Sequence, residues 1–145
     1  MSTSDPPVDP RGPRFAAWVT SAVLGIVLLT SSGWLLAAQA VVFALGAFAG
    51  LKYSPYSVLY RTLIAPRLRP PAAREAADPV RFAQGVGFAF AVAGAAGYLT
   101  GVVTLGVVAT GLALVAAFLN AAFGLCLGCE IYLLFRRLTT KGVPA

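Results

Sequence analysis

Two apolar tracts, residues 15–51 and 82–135, leave this chain few folds. About 20 residues cross a hydrocarbon core of about 30 Å, so each tract is too long for one crossing and suits two with a tight turn. In the first tract "TSSGW" (30–34) breaks the run and predicts helices near 15–30 and 34–51. In the second, "GYLTGVVTLG" (97–106) predicts helices near 82–99 and 105–135. Backbone groups in lipid must find their partners within the segment, which favours helices. No ten-residue units alternate polar and apolar residues, as the strands of a membrane barrel would. Composition agrees, with 59% of residues hydrophobic and 11% charged, against about a quarter charged in a soluble domain. The sequence predicts an all-α integral membrane protein whose four transmembrane helices form two tandem hairpins. A cleaved signal peptide is the rival reading of the first helix, with "AAQA" (37–40) as a loose cleavage site. Two aspartates and three prolines ahead of the first arginine, and a tract that continues into a second span, argue against it.

Charge orients the hairpins. Arg11 and Arg14 precede the first helix, and Lys52, Arg61, Arg67, Arg69, Arg74 and Arg81 lie between the second and third. Arg136, Arg137 and Lys141 follow the fourth, while the two outer turns carry no charge. The positive-inside rule makes the basic face cytoplasmic, so both termini are expected in the cytoplasm and the chain in a cytoplasmic membrane. The net charge of +6 thus flanks apolar spans, and nucleic acid is not an expected partner. The expected organisation is a flexible tail (1–14), a first hairpin (15–51), a basic interfacial segment (52–81), a second hairpin (82–137) and a tail (138–145).

The halves resemble one another. "DPRGPRFA" (9–16) enters the first hairpin and "DPVRFA" (78–83) the second, while "GAFAGL" (46–51) and "AAFGL" (121–125) fall late in each. A tandem duplication of one hairpin follows, in which an aspartate caps each entry helix and an arginine anchors at the headgroups. Chance similarity between apolar segments is the alternative. Between the hairpins, "SVLYRTLIAPRL" (57–68) mixes apolar and basic groups as an interfacial helix would. Tyr53, Tyr56 and Tyr60 read there as interface anchors, or as contacts to a cytosolic partner or an anionic headgroup. Gly46-x-x-x-Gly50, Gly97-x-x-x-Gly101 and Gly124-x-x-x-Gly128 fit the close approach of packed membrane helices. Gln39, Asn120, Thr20 and Thr110 are the deepest polar residues, expected to hydrogen-bond between helices.

The chemistry concentrates in "NAAFGLCLGCEIYLLFRR" (120–137). Cys126 and Cys129 are the only cysteines, and Glu130 is the only charge between Arg81 and Arg136. On a continuous helix the cysteines stand roughly 10–15 Å of axis before Arg136, in the cytoplasmic leaflet. Their α-carbons would lie about 5 Å apart, within disulfide range, and Glu130 would share their face. Such a patch can shuttle between dithiol and disulfide with Glu130 moving the proton. It can equally hold a persulfide or a soft ion such as Cu(I), or pack as two small hydrophobes. A pair toward a helix C-terminus, beside a carboxylate and in apolar surroundings, disfavours the reactive thiolate; a break at Gly124 or Gly128 would reverse this by creating a new helix N-terminus. The residues name no cofactor and no metal site: there is no histidine, and the only methionine is Met1.

With these residues the chain resembles a bacterial membrane family known as domain of unknown function 4395. The resemblance rests on "GLCLGCEIYLLFRR", "DPRGPRFA" and "DPVRFAQGVG" and covers roughly residues 8–138. Genes of that family often lie near thioredoxin-like and sulfurtransferase genes, which implies thiol or sulfur chemistry by association and a bacterial inner-membrane location. The leading expectation is therefore redox or sulfur-carrier chemistry at Cys126, Cys129 and Glu130. The partners expected are the bilayer and a cytosolic thioredoxin-like or sulfurtransferase protein. A thin bundle of four short helices leaves association with a second copy open. A transporter or channel subunit for a small sulfur species, and a purely structural membrane subunit, are the alternatives.

Overall fold

A computed structural model describes residues 11–69 and 77–139. Asp9, Pro70, Pro71, Arg74, Lys141 and most of both predicted tails lie outside them. The described residues are helical with no strand: α1 (Arg11–Thr30), α2 (Gly33–Ala44), α3 (Pro55–Leu59), α4 (Ala77–Thr100), α5 (Val103–Phe123) and α6 (Leu127–Thr139). A wide π turn, Leu45–Ala49, extends α2, and the turns Tyr60–Ile64 and Ala65–Arg67 extend α3. Helix α1, α4 from Asp78 onward and α5 are each long and apolar enough to cross a membrane; the apolar helix Gly33–Ala49 is shorter. This is the build of a membrane protein.

Two expected boundaries move. Residues 11–14 belong to α1, not to the tail. Pro13 is tolerated there because a first helical turn has no internal use for its N–H. The predicted fourth helix is not continuous to residue 135, because α5 stops at Phe123 and α6 starts at Leu127. Gly124 has φ +70°, a left-handed conformation that glycine adopts without steric cost. Its N–H donates to Asn120 O at 3.0 Å, closing the helix end by an αL-type cap, and that of Leu125 donates to Leu119 O at 3.2 Å.

The two halves are built alike. Each entry helix ends in a hydroxyl bonded back one turn, Thr30 to Ile26 O and Thr100 to Ala96 O. A left-handed residue follows in both, Ser31 and Gly101. Each second helix then ends before a positive-φ glycine, Gly50 or Gly124, and a further helical segment follows. That segment returns to its own entry helix: Tyr60 stacks on Phe15 with ring centroids 5.9 Å apart, and Tyr132 on Phe82 at 5.5 Å. The halves interlock by exchange, the most extensive pairings being α2 with α4, α1 with α5, and α4 with α5. The repeated arginines follow the same rule. Arg14 donates to Ala121 O at the end of α5, and Arg81 to Ala47 O at the end of the π turn. Helix-end carbonyls have no internal partner, and a guanidinium supplies both donors and positive charge there.

The core is filled by fitting large residues against small ones. Leu24, Val27, Leu36, Phe43, Ala91 and Ala95 form its centre. A Cβ on Gly87 would meet Phe43 at 2.8 Å and one on Gly94 would meet Leu36 at 2.7 Å, so α4 admits α2 by having no side chain at these points. The glycine pairs of the sequence divide their labour. Gly46, Gly97 and Gly128 pack against Gln84, the Gly106 backbone and Ala83, whereas Gly50, Gly101 and Gly124 serve the turns. The tyrosines of the basic segment divide too. Tyr53 is exposed with Lys52 over its ring, but Tyr60 is 4% exposed and packs inward. Tyr56 donates its hydroxyl to Gln39 Oε1 at 2.6 Å. Burial raises the Tyr56 pKa, so the phenol remains a donor.

Candidate functional site

The break at Gly124 decides the setting of the cysteines. Cys126 is the residue immediately before α6, and Cys129 stands in its first turn. The two are joined as a disulfide, with α-carbons 5.1 Å apart. The Cys129 N–H donates to Cys126 Sγ at 3.2 Å, and the Glu130 N–H to Cys126 O at 3.0 Å. Cys126 therefore sits where an N-cap would, its sulfur against the unpaired N–H groups and the positive end of the α6 dipole. That is the setting in which a thiolate is favoured on reduction. The expectation drawn for a continuous helix, of a pair near a C-terminus, is corrected.

The surroundings of the pair come from both halves. Cys129 packs on Leu51, just past the first-half break, and on Val80 at the start of α4. A Cβ on Gly128 would stand 2.6 Å from Ala83 Cβ, so this glycine lets the first turn of α6 lie directly on α4. Arg14 reaches Ala121 O from α1 and fastens the end of α5 just ahead of the break. Both cysteines are half-buried, whereas Glu130 is exposed. All three border one cavity between α1, α4, α5 and α6. Further along α6, Arg136 donates to the Tyr132 hydroxyl at 2.9 Å, and Ile131, Leu134, Phe135 and Leu138 are exposed.

A cavity of about 660 Å³ opens beside the pair, within the range of about 300–1,000 Å³ usual for small-molecule sites. Its walls come from the first turns of α1, from α4, α5 and α6, with Cys126, Gly128 and Cys129 on one side. Alanines and glycines make up much of the lining, and Thr20, Gln84 and Asn120 bring the amides and a hydroxyl to it. Hydropathy along the chain does not reveal this space, which small residues on three distant helices leave open together. Gly124, Arg14 and Gly128 also act on the site; the sequence marks Gly124 and Gly128 as a possible break and close-packing pair and Arg14 as an anchor, but not the bond from Arg14 to Ala121 O. Among the described residues, no group of three or more His, Cys, Asp or Glu is placed to hold a metal ion.

The family model described as "Domain of unknown function (DUF4395)" matches residues 8–137. The chain belongs to this family. No curated protein and no solved structure matches it. DUF4395 membership covers the hairpins, the break and the cysteine pair together, and it assigns no reaction to them.

Proposed function

We propose that this DUF4395 protein is a thiol–disulfide exchange component of the bacterial inner membrane. Its four apolar helices cross the bilayer as two hairpins, with both termini and the disulfide near the cytoplasmic face. The basic residues at the entry ends support that orientation. A disulfide facing a reducing compartment is characteristically transient and reactive. The observation that carries the reading is the position of Cys126 and Cys129 at the start of α6, after the break at Gly124.

The exchange is written with a cytosolic dithiol protein of thioredoxin-like chemistry. One partner thiolate attacks a sulfur of the Cys126–Cys129 bond, forming a mixed disulfide and releasing the other cysteine as a thiolate. The second partner thiol then displaces the bound cysteine, leaving the partner oxidised and the pair a dithiol. The α6 N-terminus stabilises the departing Cys126 thiolate. Glu130, exposed in the first turn, takes the role of proton carrier to and from solvent. Inverted membrane vesicles treated with a membrane-impermeant maleimide, with and without prior reduction, test this. Two thiols modified only after reduction, counted by intact mass, are expected. No modification in either state would return the cysteines to a packing role, and a mass gain of one sulfur would point to persulfide carriage instead.

A further inference from the structure

A pair that exchanges electrons with a soluble protein needs a second redox partner if it is to turn over, and none is built into the described residues. The cavity beside Cys126 and Cys129 shows where such a partner would enter. Leu112 on α5 and Ile131 and Leu133 on α6 line it and are all exposed, as are Arg14 and Glu130, so its mouth runs from the charged rim onto the lateral apolar face of the helices. A soluble protein does not reach a face turned toward lipid, whereas a lipid-borne small molecule does.

Comparison of the halves shows that the opening belongs to the cysteine-bearing one. Tyr60 and Tyr132 stack alike on their entry helices. At the same sequence separation Ser54 corresponds to Cys126, Ser57 to Cys129 and Tyr56 to Gly128. The register is fixed by matching backbone bonds, Val58 N–H to Ser54 O and Glu130 N–H to Cys126 O, both 3.0 Å. In the first half the Tyr56 side chain reaches inward to the buried Gln39. In the second half the matching residue, Gly128, lies directly against Ala83 of α4, and a cavity lies alongside it.

We infer that this cavity binds an isoprenoid quinone as a diffusible substrate, which oxidises the Cys126–Cys129 dithiol; the inference rests on the exchange reading above. A planar ring suits a crevice walled by small residues, and its two carbonyls accept from the donors that the site offers, the Asn120 and Gln84 amides and the Thr20 hydroxyl. The step balances as two thiols and one quinone giving one disulfide and one quinol. Two electrons pass from sulfur to the ring, and the two thiol protons end on the quinol oxygens. The chain then carries electrons from a cytosolic dithiol to the membrane quinone pool.

The test uses the full chain in lipid nanodiscs, reduced, freed of reductant and mixed with decylubiquinone, whose fully substituted ring resists direct thiol addition. Expected is one quinone reduced for every two thiols lost, with the Cys129→Ser variant at the background rate. Ala116→Trp, which fills the cavity, is expected to slow quinone reduction by about 10-fold or more. Asn120→Ala is expected to raise the quinone KM by about 10-fold with little change in kcat, as loss of one binding hydrogen bond would. Wild-type protein that exchanges with a soluble dithiol yet reduces quinone no faster than Cys129→Ser overturns this inference and leaves the exchange reading standing. Failure of the exchange itself overturns both.

Discussion

The two halves of this molecule share one plan and differ in what they place at one point of it. After the Gly50 break, the first half presents Ser54 and Ser57, with Ser54 4% exposed and Tyr56 turned inward between them. After the Gly124 break, the second half presents Cys126 and Cys129, half-buried and disulfide-linked, with Gly128 between them and a cavity alongside. A repeated backbone thus supplies two helix N-termini near one end of the bundle. At one an aromatic side chain turns inward to Gln39; at the other a glycine stands between two cysteines. The lesson is that the backbone provides the location, and a few side-chain volumes decide whether anything can reach it.

The largest expected effect removes the sulfur from the cysteine-bearing half. Cys126→Ser or Cys129→Ser should lower exchange with a soluble dithiol by at least about 100-fold, the scale of losing a reacting atom. Stopped-flow assays in nanodiscs would read this directly. The next effect transfers the chemistry to the other half. A chain carrying Ser54→Cys and Ser57→Cys together with Cys126→Ser and Cys129→Ser should react with an impermeant maleimide about 10-fold more slowly than the native pair, because a buried thiol is poorly reactive. Equal reactivity would break the comparison.

Smaller effects act through the breaks. Gly124→Ala forces a side chain into the left-handed region, at a cost of about 1–2 kcal/mol. Thermal unfolding should report that cost, and thiol reactivity should fall in the same variant as the α6 N-terminus is distorted. The two arginines should then separate. Arg81 gives two bonds to Ala47 O and a longer one to Phe48 O, whereas Arg14 gives one to Ala121 O. Arg81→Met is expected to cost about 1 kcal/mol and Arg14→Met about half that, since Arg81 loses the larger set of bonds. Tyr56→Phe should cost least, about 0.6 kcal/mol, by removing a single bond to Gln39 within the bundle. Gln39 already holds an unpartnered Nε2, so this variant tests how much a half-satisfied buried amide contributes.

Much of the fold was legible because lipid imposes a simple rule. The helix turns at Ser31 and Gly101 fall within the polar and glycine interruptions of the apolar tracts, and the repeated Arg-Phe-Ala marks the start of each hairpin. The fate of the fourth helix was not settled in the same way. The run from Val103 to Phe135 is apolar whether or not it bends, and hydropathy does not record the sign of φ at Gly124. The placement of Cys126 and Cys129 toward a helix C-terminus followed from a continuous helix and failed with it. Likewise, nothing in "KYSPYS" announces that Tyr56 turns toward Gln39, since the partner lies on another helix.

The sequence by itself determined an apolar all-α chain suited to a membrane, the places where its long helices turn, and its single pair of cysteines. Those depend on composition and on spacing along one strand of chain, which lipid reads segment by segment. Only the tertiary structure decided that the cysteines head a new helix, that Leu51 and Val80 support them from both halves, and that small residues on α1, α4 and α5 leave a cavity at their side. These depend on one glycine's backbone conformation and on side-chain volumes meeting across helices far apart in sequence, quantities that exist only once the chain is packed.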